Sequence, residues 1–322
     1  MKQVSLPRSS KKTSQLGFGC AFWSSIGEPE AARILDAAYD AGIRHFDVAP
    51  YYLNGTAERY VGKLLSKYKD ISVTTKFGLL PASAQAFHAR LMRLLLKPLF
   101  RSIRSGANVP FRAKISAISK RKARFSVDEM QASLNRSSIL LNRPFIDIFL
   151  LHEPDETDFD NQGFLNSIRE NVVQGRVGAI GIGAPSNLAL EIVKKHGLIW
   201  DVMQYDWTPF SGSPLFPDTF QILYWIFGRN FGETHQRFLR NDDLVRHWSD
   251  RVGIDLYRPD SLRNLFLKSA LLANEKGIVL VYSSNIDHIH ENVMVAENAS
   301  LDRSAKMFLD LVKAASPEQV GL

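Results

Sequence analysis

Four side chains in this sequence have types and settings suited to moving a proton: Asp47, Tyr52, Lys76 and His152. Asp47 ends an apolar approach that begins at Ile43, and Tyr52 follows it by five residues, beyond Pro50. A phenol with an ordinary pKa near ~10 is a poor acid at neutral pH, so it needs a nearby cation, and that cation needs a carboxylate to hold it. Lys76, closing the β-branched run Ile71-Ser72-Val73-Thr74-Thr75, is the cation, and Asp47 is the carboxylate. His152 ends a second apolar run and is followed two residues later by Pro154. Singly, a strand-end lysine is ordinarily solvated, a histidine is ordinarily part of a core, and an aspartate often caps a turn. Four such residues at matching strand ends point to chemistry.

The elements that must position them alternate along the chain. Residues 16–20 read as a first strand, and Pro29 opens a helix with Ala32, Leu35, Ala38 and Tyr39 apolar and Gly42 beyond its end. Strands follow at residues 43–46 and 71–76, separated by a helix at 57–66. The pair Ser126 and Glu129 has capping-box spacing and opens a helix running to Leu141. Strands at 146–151, 177–182 and 201–204 alternate with helices at 164–173 and 187–195. A seventh strand is expected at 220–227 and an eighth at 278–281, with helices at 262–274, 286–297 and 307–314. Residues 208–218 are too rich in Pro, Ser and Gly to predict a helix, and 229–260 are charged and irregular, a variable loop region. Eight strands alternating with helices predict an α/β chain folded as one (β/α)8 TIM barrel domain over residues 1–322. Catalytic residues on such a barrel gather at the C-terminal strand ends, where Asp47, Lys76 and His152 fall on three consecutive strands. Neither GxGxxG nor GxxxxGK[ST] occurs.

Composition bounds the rest. At 322 residues with 45% hydrophobic and 23% charged, the chain can bury a large core. The single Cys20 rules out an intrachain disulfide and a Cys-rich metal cluster, and no metal site is expected. No apolar run approaches the ~20 residues that span a bilayer, and the N-terminus lacks a secretory core, so the expectation is cytoplasmic. The net charge of +7 hides an asymmetry: residues 83–124 carry eleven Lys or Arg and no Asp or Glu, leaving about −4 for the remainder (7 − 11). The basicity therefore belongs to an insertion after the third strand, at about 83–125, and no nucleic-acid partner is expected. Within it Leu91, Leu95, Leu99 and Ile103 form an apolar stripe broken by Pro98. A basic amphipathic segment can make weak contact with an anionic membrane surface; packing of its leucines on the barrel exterior is the plainer alternative.

The chain resembles the aldo-keto reductase family. The resemblance is carried by Phe46-Asp47-Val48-Ala49-Pro50-Tyr51-Tyr52, Gly55-Thr56-Ala57-Glu58, Thr75-Lys76, Leu150-Leu151-His152-Glu153-Pro154 and Gln204-Tyr205, in the family's order. It implies an oxidoreductase using NADP(H) or NAD(H) to interconvert an aldehyde or ketone with an alcohol, the small molecule being the expected partner. It further implies Tyr52 as general acid and base, Lys76 and Asp47 as the groups that lower its pKa, and His152 as the group orienting the carbonyl. The five-residue spacing from Asp47 favours Tyr52 over Tyr51, and Tyr51 and Trp23 are expected to line the substrate pocket.

The same resemblance places the cofactor on Gln204 for its carboxamide, Tyr224 for its nicotinamide face, and Ser283, Ser284, Glu291 and Asn292 for its adenosine end, where a helix start suits an anion. The sequence departs from the pattern in three places. The family's Ser-Asn pair after the fifth strand reads Gly183-Ala184 here, which offers no side-chain hydrogen bond. Trp225 replaces a hydroxyl residue beside Tyr224, and the basic residues that often grip a 2′-phosphate read Tyr282 and His288, leaving NADP and NAD both open. These departures and the large inserts motivate a second reading, a barrel that binds a ligand or partner with weak or lost reductase activity. A metal-dependent barrel hydrolase lacks any HxH or paired-carboxylate pattern at the strand ends.

Overall fold

A computed structural model describes residues 1–21, 26–80, 122–197 and 199–315 of the chain. Trp23 and the stripe from Leu91 to Ile103 lie outside the described residues. The expected alternation is present. Strands β3 (Leu16–Gly19), β4 (His45–Asp47), β5 (Ser72–Phe77), β6 (Ile146–His152), β7 (Val177–Gly183), β8 (Val202–Asp206), β9 (Phe220–Tyr224) and β10 (Ile278–Val281) close a parallel barrel in that order, β10 pairing back onto β3. Ahead of it, β1 (Gln3–Ser5) and β2 (Lys12–Ser14) form an antiparallel hairpin that sequence patterning did not reveal, because three-residue strands carry too little alternation.

Around the strands run α1 (Glu28–Asp40), α2 (Ala57–Lys67), α3 (Val127–Leu140), α4 (Gln162–Val173), α5 (Ser186–His196), α6 (Phe231–Phe238), α7 (Asp242–Val252), α8 (Pro259–Ala273), α9 (Ile286–Glu297) and α10 (Asp302–Ala314). Pro29 and two acidic residues start α1, which buries Ala31, Ile34, Leu35 and Ala38, a stripe rotated one position from the one the sequence suggested. Ser126 caps α3 by accepting from the Glu129 amide at 3.4 Å, while the Glu129 carboxylate accepts from the Arg124 amide at 2.9 Å. The expected box is thus half made, its second arm reaching two residues further back. The strand expected over 220–227 ends at Tyr224, where Trp225 takes a positive φ of 52° and turns the chain.

Residues 229–260 are not a loop. They hold α6 and α7, with Asn241 capping α7 at 3.2 Å and Gly253 ending it at a φ of 70°. Val245, Trp248 and Val252 recur at helical spacing and pack with Phe210, Phe238, Leu265, Phe266 and Phe308 in a satellite core outside the barrel wall. That spacing was readable; a surrounding density of charge concealed it.

The barrel interior divides into an apolar half and a polar half. Alternation along each strand turns Ile148, Leu150, Ala179, Val202, Ile222, Ile278 and Leu280 inward, where they pack with Val4 and Leu6. The same alternation sets His45 and Asp47 on one side of β4, and Ser72, Thr74 and Lys76 on one side of β5, all buried. His45 is satisfied by Ser72 Oγ at 2.8 Å and Thr74 Oγ1 at 3.1 Å. Among the described residues no helix is long and apolar enough to cross a membrane.

Candidate active site

The upper end of the polar half carries the four proton-transfer residues. Lys76 and Asp47 are 1% and 3% exposed, so neither charge could persist there unpaired. The Lys76 ammonium uses three donors on three acceptors: Asp47 Oδ1 at 2.5 Å, the Val48 carbonyl at 3.1 Å and the Tyr52 hydroxyl at 3.0 Å. Tyr52 opens a 3-10 turn over Tyr52–Gly55, anchored by its own amide donating to the Ala49 carbonyl at 3.0 Å. Pro50 ends the extended run, and the turn carries the phenol back over the strand end. His152 is buried at the end of β6, its ring edge-on to Tyr52 at 5.9 Å and to Tyr51 at 6.5 Å. The structure therefore brings Asp47, Tyr52, Lys76 and His152 together and sets Tyr51 beside His152.

The electrostatics differ from the simple expectation. Burial pushes the Tyr52 phenol well above the ordinary tyrosine value, and the charges or potential charges of Asp47, Cys20, Glu153 and Tyr51 push it the same way. Lys76 does not overcome this because Asp47, 2.5 Å from its ammonium, cancels most of the field the phenol would feel. Burial also pulls the Lys76 ammonium below its ordinary value, opposed by the Asp47 charge. At neutral pH the site is consequently set with its phenol protonated. Two groups beyond the quartet join this balance without having been singled out in sequence: the buried Cys20 thiol, raised by burial and by Asp47, and Glu153, adjacent to His152.

Gln204, from β8, donates through Nε2 to the second oxygen of Asp47 at 2.6 Å and is itself buried. Across from it, a Cβ at Gly183 would stand 3.0 Å from the Gln204 side-chain oxygen Oε1. At Gly19, beside Asp47 in the strand pairing, an added Cβ would make, among the described residues, an ordinary contact with the Val281 carbonyl oxygen at 3.8 Å. Tyr224 stands partly exposed at the end of β9, its phenol pushed up by burial and then by Asp206, Tyr52 and Glu153. Trp225 sits edge-on to Tyr224 at 5.4 Å and beneath the Arg229 guanidinium at 4.7 Å.

A second group lies after β10. Ser283 is buried with its hydroxyl engaged on Asn285 at 3.0 Å, Ser284 and Glu291 are exposed, and Asn285 caps α9 through the Asp287 amide at 2.9 Å. Asn292 is 5% exposed, and its Nδ2 has no hydrogen-bond partner among the described residues. A buried amide with an idle donor is costly unless something completes it.

The D-threo-aldose 1-dehydrogenase of a Pseudomonas species is 30% identical over 183 residues, 54% of this chain and 51% of that protein. The chain spans about half the length, or less, of the first curated relatives it matches. Among solved structures, an aldo-keto reductase from Bacillus halodurans in its holo form superposes over the whole of both chains with a TM-score of 0.64 at 21% identity. Gox0644 in complex with NADPH covers 97% of this chain and 93% of its own with a TM-score of 0.60 at 18% identity, a likeness of fold. Residues 15–218 match the model of the Aldo/keto reductase family, and the chain belongs to that family.

Proposed function

We propose that the protein is a nicotinamide-dependent oxidoreductase that reduces an aldehyde or ketone to an alcohol, or runs the reverse, with Tyr52 as the proton donor and acceptor. The observation that carries the reading is the Lys76 ammonium, 3.0 Å from the Tyr52 hydroxyl and 2.5 Å from Asp47. A carbonyl oxygen seated between Tyr52 and His152 would receive the phenolic proton as negative charge develops on it. Lys76 then stabilises the phenolate it faces, and Asp47 keeps the ammonium charged in a buried setting. His152 orients the carbonyl from the neighbouring strand end.

The residues present fit a nicotinamide dinucleotide. Gly19 carries no side chain beside the ion pair, Tyr224 offers an aromatic face on the rim, and Asn292 Nδ2, without a hydrogen-bond partner among the described residues, offers a donor for an adenine nitrogen. Ser283, Ser284 and Glu291 stand on the same stretch of chain. When bound, the nicotinamide supplies or accepts the hydride. Tyr282 and His288 carry no fixed guanidinium for a 2′-phosphate, so NADP(H) and NAD(H) both suit the site.

Because the phenol is raised, reduction is favoured at neutral pH, where Tyr52 holds its proton, and oxidation gains as pH rises toward the phenol's value. The test is to titrate the protein with NADPH and with NADH while following tryptophan fluorescence, then to follow nicotinamide absorbance across a panel of aldehydes and ketones. Binding followed by turnover supports the enzyme. Quenching with no turnover on any carbonyl would favour the binding barrel, to which the absence of a side-chain donor at Gly183 and Ala184 also speaks.

A further inference from the structure

Resting on the catalytic reading above, we infer that Gln204 is a positioning residue for the Asp47–Lys76 pair, acting through Asp47 whether or not its amide also meets the cofactor. A carboxylate has only acceptors, so the contact fixes the orientation of the amide: its nitrogen must face Asp47 Oδ2, at 2.6 Å. Asp47 is thereby held from two sides, by Lys76 of β5 on Oδ1 and by Gln204 of β8 on Oδ2. All three residues are 3% exposed or less, so losing the amide would leave half of a buried carboxylate without that donor.

Lys76 has no slack to absorb such a loss. Its three donors are spent on Asp47, Val48 and Tyr52, so a turned carboxylate moves the ammonium relative to the phenol. The same arrangement explains Gly183. Strand β7 pairs Gly183 directly with Gln204, and a Cβ there would stand 3.0 Å from the amide oxygen and 3.4 Å from Leu150 Cδ1. A bare backbone at this position leaves the amide free to lie toward Asp47. The sequence departure at Gly183-Ala184 and the Asp47 contact are thus two sides of one rearrangement.

The groups around the Tyr52 proton are Asp47, Cys20 just after β3, Glu153 just after β6 and neighbouring Tyr51, which push the phenol up, with Lys76 bonded to its hydroxyl, His152 edge-on to its ring and Tyr224 of β9 electrostatically coupled to it. Removing the Gln204 donor leaves more of the Asp47 charge to act on the phenol, which moves it further up.

Two variants of the full chain test this, Gln204→Leu and Gly183→Ala, the second retaining the amide but crowding it. Each is titrated with NADPH by tryptophan fluorescence, and each is assayed for alcohol oxidation against pH. The expected result, at saturating cofactor, is an oxidation midpoint moved up by at least about half a pH unit and turnover at pH 7 down about tenfold or more. An unmoved midpoint in Gln204→Leu overturns the inference, whether or not NADPH binding changes. If the parent turns over no carbonyl, the catalytic reading fails by itself, and urea unfolding of cofactor-free Gln204→Leu, Asp47→Asn and the double variant decides the Asp47 contact. Sub-additive midpoint shifts carry it, and additive shifts overturn it.

Discussion

A Cβ placed on Gly78 would stand 2.4 Å from the carbonyl oxygen of His152 and 2.9 Å from the Phe125 ring. Gly78 also holds a φ of 140° and receives the Ala123 amide on its carbonyl at 2.7 Å. The backbone that leaves β5 after Lys76 is therefore pressed against the strand end that carries His152, and only hydrogen fits between them. Gly78→Ala is expected to destabilise the fold by about 1–3 kcal/mol and to displace His152. Urea unfolding beside a carbonyl reduction assay checks both; unchanged stability with full activity would show that the two segments separate freely.

The two adjacent tyrosines are expected to behave differently. Tyr52→Phe keeps the ring but removes the hydroxyl facing Lys76 at 3.0 Å, so reduction should fall by roughly the 10²–10⁴ of a lost general acid, with cofactor binding nearly unchanged. Tyr51→Phe leaves that contact intact, and its effect should be confined to substrate affinity. Parallel measurement of turnover and of cofactor quenching distinguishes them, and the opposite ranking would move the proton donor to Tyr51.

How much of this was legible in sequence follows from how local each signal is. Asp47, Lys76 and His152 end apolar or β-branched runs, so a count of strands was enough to put them on one rim, and the phenol followed from its spacing. The Asp47 contact of Gln204 was not legible, since it joins residues 157 apart and depends on Gly183 having no side chain. Nor was the direction of the Tyr52 shift: a lysine beside a phenol lowers its pKa, but a lysine already neutralised by an aspartate leaves burial to win. Helices α6 and α7 were hidden for a different reason, because their apolar stripe faces a satellite core and their remaining positions are charged.

Lys76→Met removes a buried cation whose absence leaves Asp47 charged at 3% exposure. Breaking one side of such a pair costs about 3–5 kcal/mol, so reduced stability should accompany loss of activity. Circular dichroism separates the two effects: a folded Lys76→Met protein with negligible turnover assigns the ammonium to the chemistry. Full activity in a folded variant would remove Lys76 from it. Gln204 cannot compensate, because it already donates to the other carboxylate oxygen.

The polar column beneath the site should make the fold acid-sensitive through His45. This ring is fully buried, and burial, followed by the charges of Lys11 and Lys76, holds its pKa down to about 3 from an ordinary 6.5. Below 6.5 the unfolded chain takes up a proton that the native ring refuses, so the unfolded state is stabilised relative to the native one as pH falls. The stability due to neutral His45 is thus fully present above about pH 6.5, declines as pH drops toward about 3, and changes little below that. Between pH 7 and pH 5 the loss should be about 2 kcal/mol, since each pH unit below the unfolded value costs about 1.4 kcal/mol. A His45→Gln variant, which has no proton to gain, should lose less over the same interval by that amount, read from urea unfolding at the two pH values. Where that substitution prevents folding, the His45 ring signals followed by NMR from pH 7 to pH 5 give the answer directly: they should not titrate, and a midpoint near 6 would show that the bonds to Ser72 and Thr74 admit the charged ring.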